Sequence, residues 1–494
     1  MGQEEFFVSH AGALSAKKAG ISLHSAYDPL KEAQRFLSSR FTDSPGTIIL
    51  IGSALGYLDK QILEQYPHHK LLSLHLTSVF IDKADLRQYK SEYYHLWTPE
   101  QGGLAQFLAK HITEMDLEGL QVLAWPSSVQ AYPEYEQIIH EVTAFVKQTQ
   151  GAFFSISHFG WRWLNNILYN FAHWDNQIIL PQAKNTFIAA SGPSLNQAVP
   201  LLRDNRDKFY LIALPSSLHI LQYHGIRPDL TVMTDGGYYA ARHLEFLPAD
   251  SPVAMPLIAG QDADHPHFIF SFGSSFEERL LANTNILRLP WNGTVAANAL
   301  MLACSITEGK IILAGQDFCA QGVHLHAFPH SFASIYEQNS QRLQPLLDYY
   351  EKSVWSSSGS LSIYAHWFQN FPWPENIYRL FPSDIPLPFK EIRQKELSSL
   401  PGGCARQGRI KAKAVLNKEE RLMRIRTLIE ELLQQFHQEC DDPQQGDLWL
   451  YLDALGLYQY YKAKRLKQDI AQTKAALCQK VYQRLEILAQ QWQH

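Results

Sequence analysis

From Thr186 to Leu202 the chain reads TFIAASGPSLNQAVPLL, an apolar run that turns through Ser-Gly-Pro-Ser straight into helical spacing. A strand entering a helix through so short a turn is half of a βαβ unit, and its right-handed crossover implies a parallel sheet. Related patterns follow in FYLIALPSS (209–217), RPDLTVMTDGG (227–237) and LRLPWNGTVAANALMLACSITEGKIILAGQDF (287–318). Each apolar run closes on Gly, Ser, Asn, Thr or Asp. Ligands of doubly wound sheets collect outside the carboxyl ends of strands, so this convergence predicts one polar pocket.

The flanks differ from this centre. In the first 175 residues TIILIG (47–52), a turn Ser53-Ala54-Leu55-Gly56, the helix-like YLDKQILEQY and the run KLLSLHL (70–76) spell another βαβ unit, which LQVLAW (120–125) extends. Two parts of a dinucleotide fingerprint are missing. GSALG lacks the full GxGxxG spacing, and the second strand ends in His75-Leu76-Thr77 where an acidic residue would hold a ribose. A degenerate Rossmann-like domain is expected. The aromatic stretch Gly151–Trp174 has helical spacing and reads as a buried helix packing two domains, ahead of a stacking platform for bases or sugars. After PGGCARQGRIKAKAV (401–415), a linker rich in glycine and cations, two long amphipathic patterns broken at Asp441-Asp442-Pro443 predict an α-hairpin or small bundle for packing or partner binding. The expected division is residues 1–175, 176–400 and 401–494. The fold class is α/β in the first two, both Rossmann-like, and all-α in the third.

Bulk properties exclude several classes. A chain of 494 residues with 46% hydrophobic and 18% charged residues is folded and divided into domains. A net charge of -5 argues against a general nucleic-acid binder. The cysteines Cys304, Cys319, Cys404, Cys440 and Cys478 are odd in number and form no CxxC pair, which supports neither a disulfide framework nor a thiolate zinc site. The acidic start MGQEEFFVSHAG is unlike a signal peptide, and no uncharged apolar run approaches the roughly 20 residues of a membrane span. A cytoplasmic protein is expected.

Within the central domain, Gly192 removes the Cβ where a phosphate or ribose would approach the backbone. Ser194 is placed to cap the helix whose first amides favour an anion. Asp235 ends one strand, Asn292-Gly293-Thr294 opens a helix of small residues, and Gln316 and Asp317 end another strand. His324, His326 and His330 follow that strand, with no adjacent acidic or thiolate partner to complete a metal set. Asp262-Ala263-Asp264 spells the DxD of metal-dependent glycosyltransferases but reads as a solvated loop. No metal is expected.

ASGPSL, PDLTVMTD, NGTVAANALMLA, IILAGQDF and the trailing HLHA resemble the Maf-type motility accessory factors of flagellated bacteria. Those are flagellin glycosyltransferases that move pseudaminic, legionaminic or related nonulosonic acids from a CMP donor to Ser or Thr. The central domain is also similar to bacterial CMP-sialic-acid sialyltransferases. The resemblance covers residues 181 to 380 and implies donor contacts at Gly192, Pro193, Ser194, Asp235, Asn292, Gly293, Thr294 and Gln316, to which the strand-end hydroxyls Ser191 and Ser216 are added from the sequence itself. It implies no cofactor beyond the activated sugar and flagellin as partner; the attacking hydroxyl needs a base, and Asp317 is the first candidate and His326 the second. This chain departs from the sialyltransferases in two places. Cys319 stands where they carry a tyrosine that steadies the leaving phosphate, and VWSSSGSLS lacks their general-base histidine. Two rivals remain: an ATP- and magnesium-dependent 6-hydroxymethylpterin diphosphokinase, whose family resembles the middle domain alone, and a non-catalytic flagellin-binding assembly factor.

Overall fold

The computed structural model describes residues 4–42, 46–89, 91–174, 176–292, 294–401, 411–414, 416–443 and 446–493. Gly293, Cys404 and most of the linker after Pro401 lie outside them. The chain divides into two compact units, Met1–Gly160 with Glu439–Gln483, and Trp161–Gln438 with Arg484–His494. These boundaries differ from the three expected segments. The residues of the C-terminal helices are divided between the two units.

In the first unit, strands β1 (Glu5–Val8), β2 (Leu14–Lys18) and β3 (Ile21–Ser22) form a small antiparallel sheet. Strands β4 (Thr47–Ile51), β5 (Lys70–Leu74), β6 (Tyr94–Trp97) and β7 (Gln121–Ala124) form a parallel sheet in the order β6-β5-β4-β7. All five residues of β4 are buried, as a near-continuous apolar run in a parallel sheet should be. Strand β6 was not anticipated, because Tyr94-His95-Leu96-Trp97 is short and mixed in polarity. The helix Asp447–Arg465 is tied into this unit through Glu118, which accepts hydrogen bonds from Tyr458 (2.5 Å) and Lys462 (2.5 Å).

The second unit holds a ten-stranded sheet. Its members are β8 (Asn176–Ile179), β9 (Thr186–Ala189), β10 (Tyr210–Ala213), β11 (Leu230–Val232), β12 (Val253–Pro256), β13 (His267–Phe270), β14 (Ile311–Ala314), β15 (Ile377–Arg379), β16 (Lys390–Glu391) and β17 (Lys411–Ala414). The order is β16-β15-β14-β9-β10-β11-β12-β13-β8-β17, and only the β8–β17 pairing is antiparallel. From β9 the chain runs outward through β10, β11, β12 and β13, then returns to lay β14 on the other side of β9. That reversal makes the β9/β14 pair a switch point, and its carboxyl ends bound the crevice such sheets use for ligands. The helix Val295–Ile306 packs its alanines into the core here, with Ala297, Ala299 and Ala303 fully buried.

All but the last two residues of the aromatic stretch 151–174 lie in one helix, Glu134–Ala172, whose last turns bury Leu164, Ile167, Leu168 and Phe171. Of the two amphipathic patterns beyond residue 415, the first is the helix Lys418–Glu439. The second is interrupted at 466–470, giving Asp447–Arg465 and Ala471–Trp492. Among the described residues no helix is long and apolar enough to cross a membrane.

Candidate functional site

The turn after β9 and the end of β14 are clasped together. Gly192 N donates to Gly315 O at 2.7 Å, and Ala190 N donates to Ala314 O at 2.9 Å. Asp317, 2% exposed, accepts two hydrogen bonds from one residue, from Ser194 N at 2.7 Å and from Ser194 Oγ at 2.6 Å. The Ser194 hydroxyl also accepts from Gly315 N at 3.1 Å. Ser194 therefore does not cap its helix through its side chain. It has helical torsions (φ -63, ψ -17) in place of the extended ones a capping serine needs; its hydroxyl donates to the carboxylate and accepts from Gly315 N instead of from the helix amides.

The glycines follow from this closeness. A Cβ on Gly192 would stand 2.5 Å from Asp317 Oδ2 and 2.6 Å from Gly315 O, so its absence first of all lets the protein close on itself. Gly315, at φ +75, would place a Cβ 2.3 Å from Ala190 O.

Behind Asp317 lies Arg379 of β15, a residue the sequence reading did not select. It is 5% exposed and donates to Gln316 O (3.1 Å), Ile385 O (2.9 Å) and Ser383 Oγ (3.0 Å), while Ser383 Oγ donates to Asp317 O (2.7 Å). Burial pushes the Asp317 carboxyl above the usual aspartate range, against the pull of the Ser194 hydrogen bonds and of Arg379. Cys319 beside it is a thiol raised by burial. The readable signal was an arginine inside the apolar run IYRLF (377–381).

The loop after β14 folds back over the turn. Ala327 N donates to Ser191 O (2.7 Å), Phe328 N to Asn196 Oδ1 (3.1 Å), and His326 Nδ1 lies 3.3 Å from Ser191 Oγ. His326 is exposed yet closely surrounded, and that crowding lowers its pKa from the usual histidine value. Its ring stacks on His330 at 4.3 Å and 11°, and His330 meets His243 edge-on at 5.7 Å. His324 faces Tyr350 instead. Among the described residues no group of three or more His, Cys, Asp or Glu could hold a metal ion.

Ser191, Gly192, Pro193, Ser194, Gln316, Asp317 and His326 thus share the β9/β14 end. A second group lies two strands away. Asp235, exposed and accepting from Gly237 N at 2.7 Å, follows β11 by three residues, beyond the strand end expected for it. A Cβ on Gly236 would stand 2.6 Å from Trp163, whose ring meets Trp291 at 5.5 Å, next to Asn292 and Thr294. Asn292 Oδ1 accepts from Thr294 N at 3.3 Å ahead of the helix Val295–Ile306. Burial raises the Tyr364 hydroxyl of the helix Leu346–Asn370, and the Asp235 carboxylate raises it further. At β10 it is Ser217, and not Ser216, that donates to Ala189 O (2.8 Å); Ser216 is half-buried beside it. Asn166 and Asn170, one helical turn apart in an apolar stretch, donate to Gly236 O, Ile258 O, Leu257 O and Ala259 O and so fix the ends of β11 and β12.

The DxD segment is half buried, which corrects the solvated-loop expectation. Asp264 is exposed, but Asp262 is 6% exposed and its carboxylate takes His265 Nδ1 (3.0 Å) and His267 Nε2 (3.0 Å). Burial alone would raise the Asp262 pKa. The two imidazoles outweigh it and hold the carboxyl below the usual range.

The glycine turn of the first unit is also filled from within. Leu55 N donates to His24 Nε2 at 3.1 Å, and burial holds His24 neutral with a pKa of about 3. Asp59, where the following helix begins, takes the hydroxyls of Ser53 and Tyr94. His75 bonds Ser73 at 3.0 Å in full burial.

A protein-family model, 6-hydroxymethylpterin diphosphokinase MptE-like, matches residues 162–323. Two uncharacterized proteins of Treponema pallidum (strain Nichols) are each 30% identical. One match runs over 288 residues, 56% of this chain, and the other over 125 residues, 24% of it. The matches span 63% and 59% of those relatives' own lengths. Among solved structures, the MAf glycosyltransferase from Magnetospirillum magneticum AMB-1 is similar over 100% of this chain and 92% of its own, with a TM-score of 0.58 and 12% identity. The likeness is one of fold, and it extends through both units.

Proposed function

We propose that the chain is a glycosyltransferase that moves a nonulosonic acid from a CMP-activated donor to a Ser or Thr hydroxyl, with flagellin as the protein acceptor. One observation carries the reading: the β9/β14 crevice, clasped by Ser194 and Asp317, belongs to a chain that shares the fold of a Maf glycosyltransferase along its whole length. The bond between the anomeric carbon and the phosphate oxygen breaks with its electron pair leaving on CMP. The acceptor oxygen forms the new bond and gives up its proton. Charge developing on the phosphate needs pre-oriented donors. The turn contributes the Ser191 hydroxyl, because Gly192 N and Ser194 N are already engaged by Gly315 O and Asp317 and Pro193 has no N–H. For the proton, His326 is the better candidate and Asp317 the second. Asp317 is buried with both oxygens engaged by Ser194, whereas His326 is accessible, neutral and held through Nδ1 by Ser191, which leaves Nε2 for the acceptor.

The MptE-like match supports a second reading, an ATP-dependent pterin diphosphokinase, over residues 162–323. Calorimetric titration with CMP and with ATP, each with and without Mg²⁺, separates the two. Selective CMP binding that is lost in Ser194→Trp, with a mass increase of flagellin when donor is added, supports the transferase. Magnesium-dependent ATP binding with no CMP binding replaces it by the kinase.

A further inference from the structure

Four imidazoles from three elements crowd over the carboxyl ends of β9, β10 and β11. His219 comes from the helix Leu218–Tyr223, His243 from the short helix His243–Phe246, and His326 and His330 from the loop after β14. His326 stacks on His330, His330 meets His243, and His243 Nδ1 bonds Ser331 Oγ at 2.8 Å. His219 stacks on Phe246 at 4.2 Å. His219 Nδ1 and His330 Nε2 are buried without a hydrogen-bond partner.

Among the described residues no carboxylate pairs with any of these four rings. Burial lowers His330 to about 3 and His243 to about 4, and the charges that act on them are those of other imidazoles: His326, His243 and His219 on His330, and His326 on His243. The nearby ionic groups are committed elsewhere. Asp317 is held by Ser194 beside Arg379, and Arg242 pairs with Glu245 at the surface. Elsewhere in this unit Asp262 shows the usual arrangement, two imidazoles sharing one carboxylate. Neutral imidazoles with two buried ring nitrogens unpartnered, beside a strand-end turn, can take up a proton when an anion arrives.

We propose that the His219, His243, His326 and His330 array seats an oxyanion of the donor, its phosphate or its carboxylate, and that this charge arms His326 as the base. The inference deepens the transferase reading and rests on it for the identity of the ligand. In the empty protein His326 is a poor proton acceptor. An anion beside it favours the imidazolium, so acceptor deprotonation becomes favourable only once donor is bound. Donor binding thereby precedes and licenses the proton transfer.

The test is nuclear magnetic resonance of the full chain labelled at histidine Cε1, with the four rings assigned through single His→Gln variants. Each ring is titrated alone and with CMP, cytidine, inorganic phosphate or a free nonulosonic acid, while tryptophan fluorescence reports binding independently. The expected result is a rise of the His326 pKa by about one unit, a tenfold change in proton affinity, with CMP or with the free acid and none with cytidine. A shift with CMP assigns the seat to the phosphate, and a shift with the free acid assigns it to the carboxylate. His330→Asn is expected to weaken the effective anion about tenfold while cytidine binding stays unchanged, a split that lost packing would not produce. CMP binding that leaves all four rings unmoved overturns the inference and spares the transferase. Phosphate moving the rings in a protein that ignores CMP does the reverse. Rings that respond to none of the anions overturn it outright.

Discussion

Gly192→Ala isolates the clasp at the switch point, because the residue does not sit in the left-handed region and the change adds only a methyl group. That methyl would lie 2.5 Å from Asp317 Oδ2 and 2.6 Å from Gly315 O. Ordinary contact begins near 3.4 Å, so relief needs a shift of nearly 1 Å. Neither neighbour yields easily. Asp317 is pinned by two Ser194 hydrogen bonds, and Gly315 O is backbone already accepting from Gly192 N. Overpacking costs about 1–3 kcal/mol, and stretching one charge-assisted hydrogen bond adds about 1 kcal/mol, so a loss of about 2–4 kcal/mol is expected. The assay is hydrogen exchange of the peptide covering 186–204 together with the urea midpoint, and CMP affinity should fall in parallel. Gly151→Ala is the control, since nothing lies within 4 Å of its Cβ and it sits inside a helix. It should raise stability by about 0.5–1 kcal/mol. If Gly192→Ala matches that control in exchange and midpoint, the clasp described here is wrong.

Other expectations follow from charge and burial. The Asp262 carboxyl lies below its ordinary value, so its contribution is present above about pH 4 and lost as pH falls further. His265 is raised by Asp262 against its burial, so its contribution is complete below about pH 6.5 and lost as pH rises through the raised value. Thermal unfolding of Asp262→Asn should therefore differ most from the parent between about pH 4 and 6.5, and a difference that grows above pH 8 would refute the pairing. His24, depressed to about 3, works in the opposite direction, stabilising the first unit above pH 6.5 and less and less as pH falls. His24→Phe should flatten that acid limb in a circular-dichroism titration. It should also cost about 1–3 kcal/mol at pH 7 by orphaning Leu55 N–H. Trp291→Ala, which removes a half-exposed ring packed on Trp163 and Phe272, should weaken donor binding severalfold with little change in the urea midpoint. Unchanged affinity would detach this surface from the site.

The sequence made the switch point legible because its strands are fully buried, and full burial writes itself as short apolar runs such as TFIA and IILA. Strands β6, β8 and β15 escaped notice, since strands of three or four residues with mixed polarity carry no clear period. At the site, residue identity located the turn but not who bonds whom. Ser194 reads as a helix cap from local spacing, and only the register of β14 on β9 brings Asp317 up to take its hydroxyl. Asp262 reads as a loop residue for the same reason, because His267 reaches it from the next strand. Arg379 is flagged only by its place in the apolar run IYRLF, and its partners Gln316, Ser383 and Ile385 are set by the fold.

The division of the chain has a consequence for its biosynthesis. The first unit is assembled from Met1–Gly160 and Glu439–Gln483, so the ribosome delivers its two pieces at separate times. At about 5–20 residues per second, the roughly 280 residues between Gly160 and Glu439 take on the order of 14–56 s to translate. Throughout that interval Glu118 lacks Tyr458 and Lys462, and the surface that the helix Asp447–Arg465 will cover stays open to chaperones and proteases. The second unit waits too, because Arg426 gains its contact with the Trp492 carbonyl only once that residue has been made. A chain cut short between Gly160 and Glu439 would leave both bodies incomplete.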